Sequence, residues 1–145
     1  MRISKVNGFT LLEMLVVVMI LALMTTLVGV NMRGKDRNDL DSVARTLMTD
    51  LRYVRSKAMV GNADTEMTID LSAKTYFSPQ AKISRSFPHT IAVSLTVDQR
   101  DIEGSKGKIV FYPDGSSSGG NIKLTGNARE MEVTTTWLNG YVSLR

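Results

Sequence analysis

The sequence predicts an α+β protein in which one long N-terminal helix packs on a C-terminal antiparallel β domain. Three observations predict it. An apolar run extends from Phe9 to Met32 and contains one charged residue, Glu13. Apolar residues then recur at spacings of three and four from Leu40 to Ala58, the period of a single helix face. From Thr65 onward the period falls to two, the alternation of half-buried strands.

The first element follows a short basic leader containing Arg2 and Lys5. A helix needs roughly 20 apolar residues to cross a bilayer core, and the run from Phe9 to Met32 reaches that length. A carboxylate in hydrocarbon costs about 3 kcal/mol unless it is paired, which marks Glu13 as a functional residue. A secretory signal peptide is the plain alternative. Against it, the run is long for an h-region, lacks an A-x-A-like site at its far end and carries Glu13 near its start. A simple membrane anchor leaves Glu13 without a role.

The second element begins after the polar stretch from Arg33 to Asp39, read as the boundary between lipid and water. Gly29 and Gly34 weaken the helix by roughly 1 kcal/mol each relative to alanine. Both a bend there and simple tolerance remain open. Leu40, Val43, Ala44, Leu47, Met48, Leu51, Val54 and Ala58 form the apolar stripe, with Arg45, Asp50, Arg52 and Lys57 mainly on the other face. Asp39 or Asp41 can cap its start, and Gly61-Asn62 ends it. A continuous helix over both segments has about 50 residues and a length of about 75 Å.

The β domain follows. Met67, Ile69 and Leu71 alternate with Thr68 and Asp70, and Ile91, Val93, Leu95 and Val97 with Ala92, Ser94 and Thr96. Ile109 and Phe111, Ile122 and Leu124, Met131 and Val133, and Val142 and Leu144 supply further pairs. Asp114-Gly115 reads as a turn, and Asn139-Gly140 as a two-residue hairpin between Trp137-Leu138 and Tyr141-Val142. The segments 78–89 and 98–107 read as loops.

Composition narrows the function. The chain has 145 residues, and about 85 remain for a soluble domain, enough for one modest core. The net charge is +4; loss of Arg2 and Lys5 with a leader lowers it by two, to +2. That is weak support for nucleic-acid binding. Cysteine is absent, so there is neither a disulfide framework nor a thiolate metal site.

The residues Gly8-Phe9-Thr10-Leu11-Leu12-Glu13 resemble the processing motif of type IV prepilins and type II secretion prepseudopilins. The resemblance implies a pilin-like fold, cleavage after Gly8 by a prepilin peptidase, and N-methylation of the new terminus at Phe9. It makes Glu13 the fifth residue of the mature chain, which aligns subunits in a filament by pairing with a neighbour's terminal amine. The expected divisions are a leader over 1–8, a transmembrane half-helix over 9–32, an amphipathic half-helix over 33–61 and a periplasmic β domain over 62–145. Basic residues flank the apolar run on both sides, so charge counting leaves the orientation open. The family implies a single-pass protein of the bacterial inner membrane, with its N-terminus cytoplasmic and its C-terminal domain periplasmic.

A second stretch, Phe111-Tyr112-Pro113-Asp114-Gly115-Ser116-Ser117-Ser118-Gly119-Gly120-Asn121-Ile122-Lys123-Leu124, is similar to the C-terminal signature of the GspH/FimT group of minor pseudopilins and pilins. The likeness is to the GspH side of that group. It implies a structural subunit at or near the tip of the type II secretion pseudopilus, linking tip subunits to the major pseudopilin and supporting export of folded proteins. The implied partners are the other minor pseudopilins, the major pseudopilin, the prepilin peptidase and the inner membrane. No cofactor, metal or nucleic acid is expected. A minor type IV pilin in pilus assembly or DNA uptake is the alternative, and a membrane-anchored periplasmic enzyme the remote one.

Without the resemblance, the Gly/Ser run admits two catalytic readings. It lacks the Gly-Lys-Ser/Thr ending of a P-loop and precedes a strand rather than a helix. Gly115-Ser116-Ser117-Ser118-Gly119 matches the letters of a nucleophile elbow around Ser117, but an elbow needs strand–turn–helix context and His and Asp partners. A small-residue turn joining two strands is the preferred reading. His89, the one histidine, lies in a Pro-His-Thr loop and reads as solvated. Asp98, Asp101 and Glu103 share a short segment; oxygen-rich clusters suit calcium, but a solvated acidic loop is preferred. Trp137, Tyr53, Tyr76, Phe77 and Phe111 read as core or sheet packing. Arg45, Arg52, Arg55 and Lys57 read as solvated or as packing on neighbouring subunits.

Overall fold

The computed structural model describes the backbone of residues 10–145 and the side chains of 10–22 and 40–145. The chain divides into two compact units, Met1–Lys35 and Asp36–Arg145. One helix, α1 (Leu11–Gly61), begins in the first and ends in the second.

In the first unit α1 starts at a capped terminus. Thr10 precedes it, and the Glu13 N–H donates to Thr10 Oγ1 at 3.2 Å and to the Thr10 carbonyl at 3.1 Å. This satisfies one of the free N–H groups of a first turn. The side chains of Leu11, Leu12 and Met14 through Leu21 are all exposed, so the helix is apolar all round, as expected of a segment that is buried in lipid or among other helices. Among the described residues no helix is long and apolar enough to cross a membrane. The leader, the cleavage position Gly8 and the methylation position Phe9 lie outside the described residues, as do the side chains of 23–32 in the second part of the expected span. Helix is continuous through Gly29 and Gly34.

In the second unit α1 buries a stripe. Leu40, Ala44, Leu47, Leu51, Val54 and Ala58 are buried at spacings of three and four. The helix ends where Gly61-Asn62 signals it. Asn62 takes a left-handed conformation at φ 48°, and the Ala63 N–H donates back to the Ala58 carbonyl at 3.3 Å, a Schellman closure.

Nine strands follow: β1 (Thr65–Asp70), β2 (Thr75–Ser78), β3 (Ile83–Ser86), β4 (Ala92–Thr96), β5 (Ile102–Glu103), β6 (Lys106–Phe111), β7 (Gly120–Gly126), β8 (Arg129–Thr135) and β9 (Val142–Leu144). A five-stranded sheet has the order β3-β2-β1-β6-β5 and a four-stranded sheet the order β4-β7-β8-β9. All pairs are antiparallel. One core joins the helix stripe to the inner positions of both sheets: Met67 and Ile69, Tyr76, Ile109 and Phe111, Ile122 and Leu124, Val133 and Val142.

Several local expectations need correction. The segments expected as loops contain β3, β5 and a 3-10 turn, Gln99–Asp101. β3 escapes pattern reading because Ile-Ser-Arg-Ser has one apolar residue, and its support comes from outside the segment: pairing with β2, Ile83 against the core and Arg85 on Asp50. Leu71 lies just beyond β1, which ends at Asp70. Asn139-Gly140 does sit in a hairpin, but Trp137 and Leu138 belong to its loop rather than its strand. The Thr136 N–H donates to the Tyr141 carbonyl at 3.0 Å, so four residues form the connection. Trp137 is therefore 67% exposed, not core, and Tyr53 is exposed as well, while Tyr76 and Phe111 are buried. Asp50, assigned to the solvated face, is only 7% exposed. The β2–β3 edge covers that flank of the helix: Tyr76 Oη donates to Asp50 Oδ2 at 2.9 Å and Arg85 Nε at 2.7 Å.

Candidate assembly site and the signature turn

The signature stretch begins at the end of β6. The Gly115 N–H donates to the Tyr112 carbonyl at 2.9 Å and the Tyr112 N–H to the Ser116 carbonyl at 3.0 Å. Asp114 locks this turn, because its Oδ1 accepts from the Ser116 N–H at 2.9 Å and from Ser116 Oγ at 2.6 Å. Aspartate suits such turns because its short side chain bonds the main chain two residues on. The Ser116 hydroxyl and N–H hold the Asp114 carboxyl below its ordinary pKa.

The next two serines point to different sheets. The Ser118 N–H donates to the Val110 carbonyl at 2.8 Å, and Ser118 Oγ accepts from the Val110 N–H at 3.1 Å. That serine continues the ladder on β6 beyond the reach of β5, which pairs only with Lys106 and Gly107. Ser117 turns the other way. Its N–H donates to the Trp137 carbonyl at 2.9 Å and its Oγ to the Thr136 carbonyl at 3.1 Å. Ser117 is thus bound to the exit of β8, in the four-stranded sheet. Gly120 makes close approach possible: a Cβ there would stand 2.8 Å from Val97 Cγ1.

The helix grips the same turn. Arg55 Nε donates to the Gly115 carbonyl at 3.0 Å. One turn back, Arg52 donates to the Val142 carbonyl, with Nη2 at 2.8 Å, and its guanidinium lies 6.0 Å from the centre of the Tyr141 ring. The stretch Asp114–Gly120 therefore ties helix, five-stranded sheet and four-stranded sheet at one seam. Ser117 is buried, its hydroxyl donates to Thr136 and accepts from the Gly119 N–H at 3.0 Å. The segment leads into strand β7, so it lacks the strand–turn–helix form of an elbow.

The other sequence-derived candidates are dispersed. Glu13 is exposed near the start of α1, and its carboxylate makes no ion pair among the described residues. Asp98 caps the 3-10 turn and pairs with Arg100 Nε at 3.2 Å. The Arg100 side chain and its N–H hold the Asp98 carboxyl below its ordinary pKa. Among the described residues no three His, Cys, Asp or Glu side chains converge to hold a metal, so Asp98, Asp101 and Glu103 do not form a ready calcium cluster. His89 is exposed in its loop, where its carbonyl accepts from Lys74 Nζ at 3.2 Å. The gripping roles of Arg52 and Arg55 were missed from sequence. Their spacing of three on a helix was visible, but their targets are main-chain carbonyls 90 and 60 residues away.

Comparison with known proteins bears on both ends of the chain. A family model described as type II transport protein GspH matches residues 43–139, and one described as the prokaryotic N-terminal methylation motif matches residues 3–29. The chain is 29% identical over 140 residues to type II secretion system protein H of Xanthomonas campestris pv. campestris, covering 95% of this chain and 82% of that protein. The fold is similar to that of the minor pseudopilin EpsH from the type 2 secretion system of Vibrio cholerae, with a TM-score of 0.59, 10% identity and coverage of 74% of this chain and 96% of the other. It is also similar to the type IV minor pilin FimU of Pseudomonas aeruginosa, with a TM-score of 0.57, 15% identity and coverage of 76% and 90%.

Proposed function

The chain belongs to the GspH family of type II transport proteins, and from that premise we propose that it works at or near the tip of a type II secretion pseudopilus, joining tip subunits to the major pseudopilin. The observation that carries this reading is the family match over residues 43–139, which includes the signature turn. The protein is a minor pseudopilin, a structural subunit whose work is assembly. Fold likeness alone does not separate secretion from pilus assembly, since EpsH and FimU match with TM-scores of 0.59 and 0.57. The 29% identical relative, a secretion protein by name, favours the secretion branch.

The mechanism rests on the N-terminal methylation motif matched at residues 3–29. Prepilin peptidase cleaves after Gly8, and the new amine of Phe9 is methylated. The apolar helix holds the subunit in the inner membrane, with the β domain on the periplasmic side. On assembly, the Glu13 carboxylate pairs with the terminal amine of a neighbour. A buried carboxylate needs such a cation, since removing one partner of a buried pair costs several kcal/mol. The Glu13 carboxylate forms no ion pair among the described residues, which leaves it for this role.

Glu13→Ala is expected to insert and be cleaved normally but to fail in filament incorporation. Normal incorporation would remove the role assigned to Glu13. A clean deletion with plasmid complementation separates the two branches. Periplasmic accumulation of exported proteins with intact pili supports the pseudopilin reading; lost pili or DNA uptake with intact secretion moves the protein to the pilus branch.

A further inference from the structure

Where α1 meets β9, the second unit carries a surface that its own contacts leave incomplete. Arg52, Arg55 and Met59 lie along one side of the helix at spacings of three and four. Tyr141 flanks them from the hairpin, with its ring 6.0 Å from the Arg52 guanidinium. Gly140 abuts Arg55, and Met59 Sδ reaches the Gly115 position. The four side chains therefore form one contiguous patch around the seam.

Three properties distinguish this patch. First, it is apolar and exposed at once: Tyr141 is 57% exposed and Met59 46%. Tyrosine, methionine and arginine are the side chains enriched at subunit contacts. Second, its arginines are preorganised. Each is held by a main-chain carbonyl, Arg52 by Val142 and Arg55 by Gly115, so little side-chain freedom is left to lose on docking. Third, its charge is unanswered. Six ion pairs are formed among the described residues, and none uses Arg52, Arg55 or Lys57. A carbonyl accepts a hydrogen bond but neutralises no charge. A fixed guanidinium presents parallel N–H donors that match a carboxylate.

We propose that this patch is a docking surface for another pilin-like subunit, and that its occupant presents an aspartate or glutamate bordered by apolar side chains. The carboxylate meets Arg52 and Arg55 within reach of the side chain at position 59, which lies beside Arg55 at the Gly115 position, while the apolar border covers Tyr141. The inference rests on the minor-pseudopilin reading and specifies the chemistry of one partner surface. Nucleic acid would also meet arginines, but here the cations are interleaved with methionine and tyrosine and pinned to the main chain, the composition of a protein contact rather than a phosphate track.

The test uses the full chain in its own strain. Membranes are solubilised in mild detergent, and the native complex with the strain's other pseudopilins is quantified by antibodies against each. Two substitutions of one exposed residue are compared, Met59→Glu and Met59→Lys. Facing a carboxylate, Met59→Glu should reduce the complex about tenfold or more, because like charges across an interface are strongly unfavourable. Met59→Lys should stay within about twofold of wild type. Arg52→Glu should behave as Met59→Glu does. Equal loss from Met59→Glu and Met59→Lys, or no loss from either, overturns the proposal. Binding of a DNA duplex by the full chain that Arg52→Glu abolishes, with the pseudopilin complex intact, overturns it in favour of nucleic acid. If the wild-type chain forms no complex with any other pseudopilin, the assembly reading itself fails, which is a separate result from unchanged behaviour of the variants.

Discussion

Asp50→Ala offers the sharpest test of how helix and sheet are joined. Asp50 is 7% exposed and Tyr76 2%. The Tyr76 hydroxyl donates to Asp50 Oδ2 at 2.9 Å and Arg85 Nε donates to the same oxygen at 2.7 Å. Alanine leaves the tyrosine hydroxyl buried without an acceptor, at a cost of about 1–3 kcal/mol. The Arg85 side chain is 53% exposed, so solvent screens its share to about 1 kcal/mol or less. The expected loss is about 3 kcal/mol, from the buried hydroxyl and the screened pair together. Asp50→Asn keeps an acceptor for Tyr76 and should lose about 1 kcal/mol. Adding Tyr76→Phe to Asp50→Ala removes the orphaned group, so the double variant should be more stable than the sum of the two singles by about 1–2 kcal/mol. Urea unfolding of the full chain in mild detergent, followed by far-UV circular dichroism, measures this if the slope stays unchanged. A loss below about 0.5 kcal/mol for Asp50→Ala, or strict additivity, would refute the reasoning.

The same tyrosine predicts an alkaline limit. Burial, followed by the neighbouring charge of Asp50, raises the Tyr76 hydroxyl well above its ordinary pKa. The folded state then keeps a proton that the unfolded chain releases near pH 10, so this contribution is present below about pH 10 and is lost as pH rises beyond it. Tyr76→Phe should flatten the decline in urea midpoint over that range. At the acid end, N–H of Ala73 and the Ser72 hydroxyl hold the Asp70 carboxyl below its ordinary pKa. Its contribution is present above about pH 4 and fades as pH falls below that, so the gap in urea midpoint between wild type and Asp70→Ala should shrink on acidification. Two glycines with similar backbone separate strain from crowding. Gly104 (φ +60°) has open space around it, whereas a Cβ at Gly140 (φ +59°) would run into the Gly115 carbonyl and Arg55. Gly104→Ala should cost about 1 kcal/mol, and Gly140→Ala clearly more, about 3 kcal/mol or above, in the same unfolding assay.

The long elements were readable because their periods are properties of local geometry. The stripe from Leu40 to Ala58 and the alternations around Met67, Ile109 and Ile122 follow from 3.6 residues per helical turn and two per strand repeat. Helix termination at Gly61-Asn62 is equally local. The N-terminal motif and the Asp114–Gly120 stretch were legible as residue patterns. The hydrogen bonds of the second were not, because Arg55, Val110, Thr136 and Trp137 supply them from outside the pattern.

Tertiary structure decided where polar groups find partners. Asp50 looked solvated because it falls off the apolar stripe of its helix, yet the β2–β3 edge, folded back from 26 and 35 residues away, buries it and supplies both donors. Trp137 looked like core by residue type, but the register Thr135↔Val142 leaves it in the connecting loop. Ser117 and Ser118 are neighbours of identical type, yet the Ser117 hydroxyl donates to Thr136 beyond β8 and the Ser118 hydroxyl accepts from Val110 of β6. Period and composition are carried by adjacent residues, whereas the satisfaction of a buried hydrogen-bonding group depends on which distant segments the fold brings beside it.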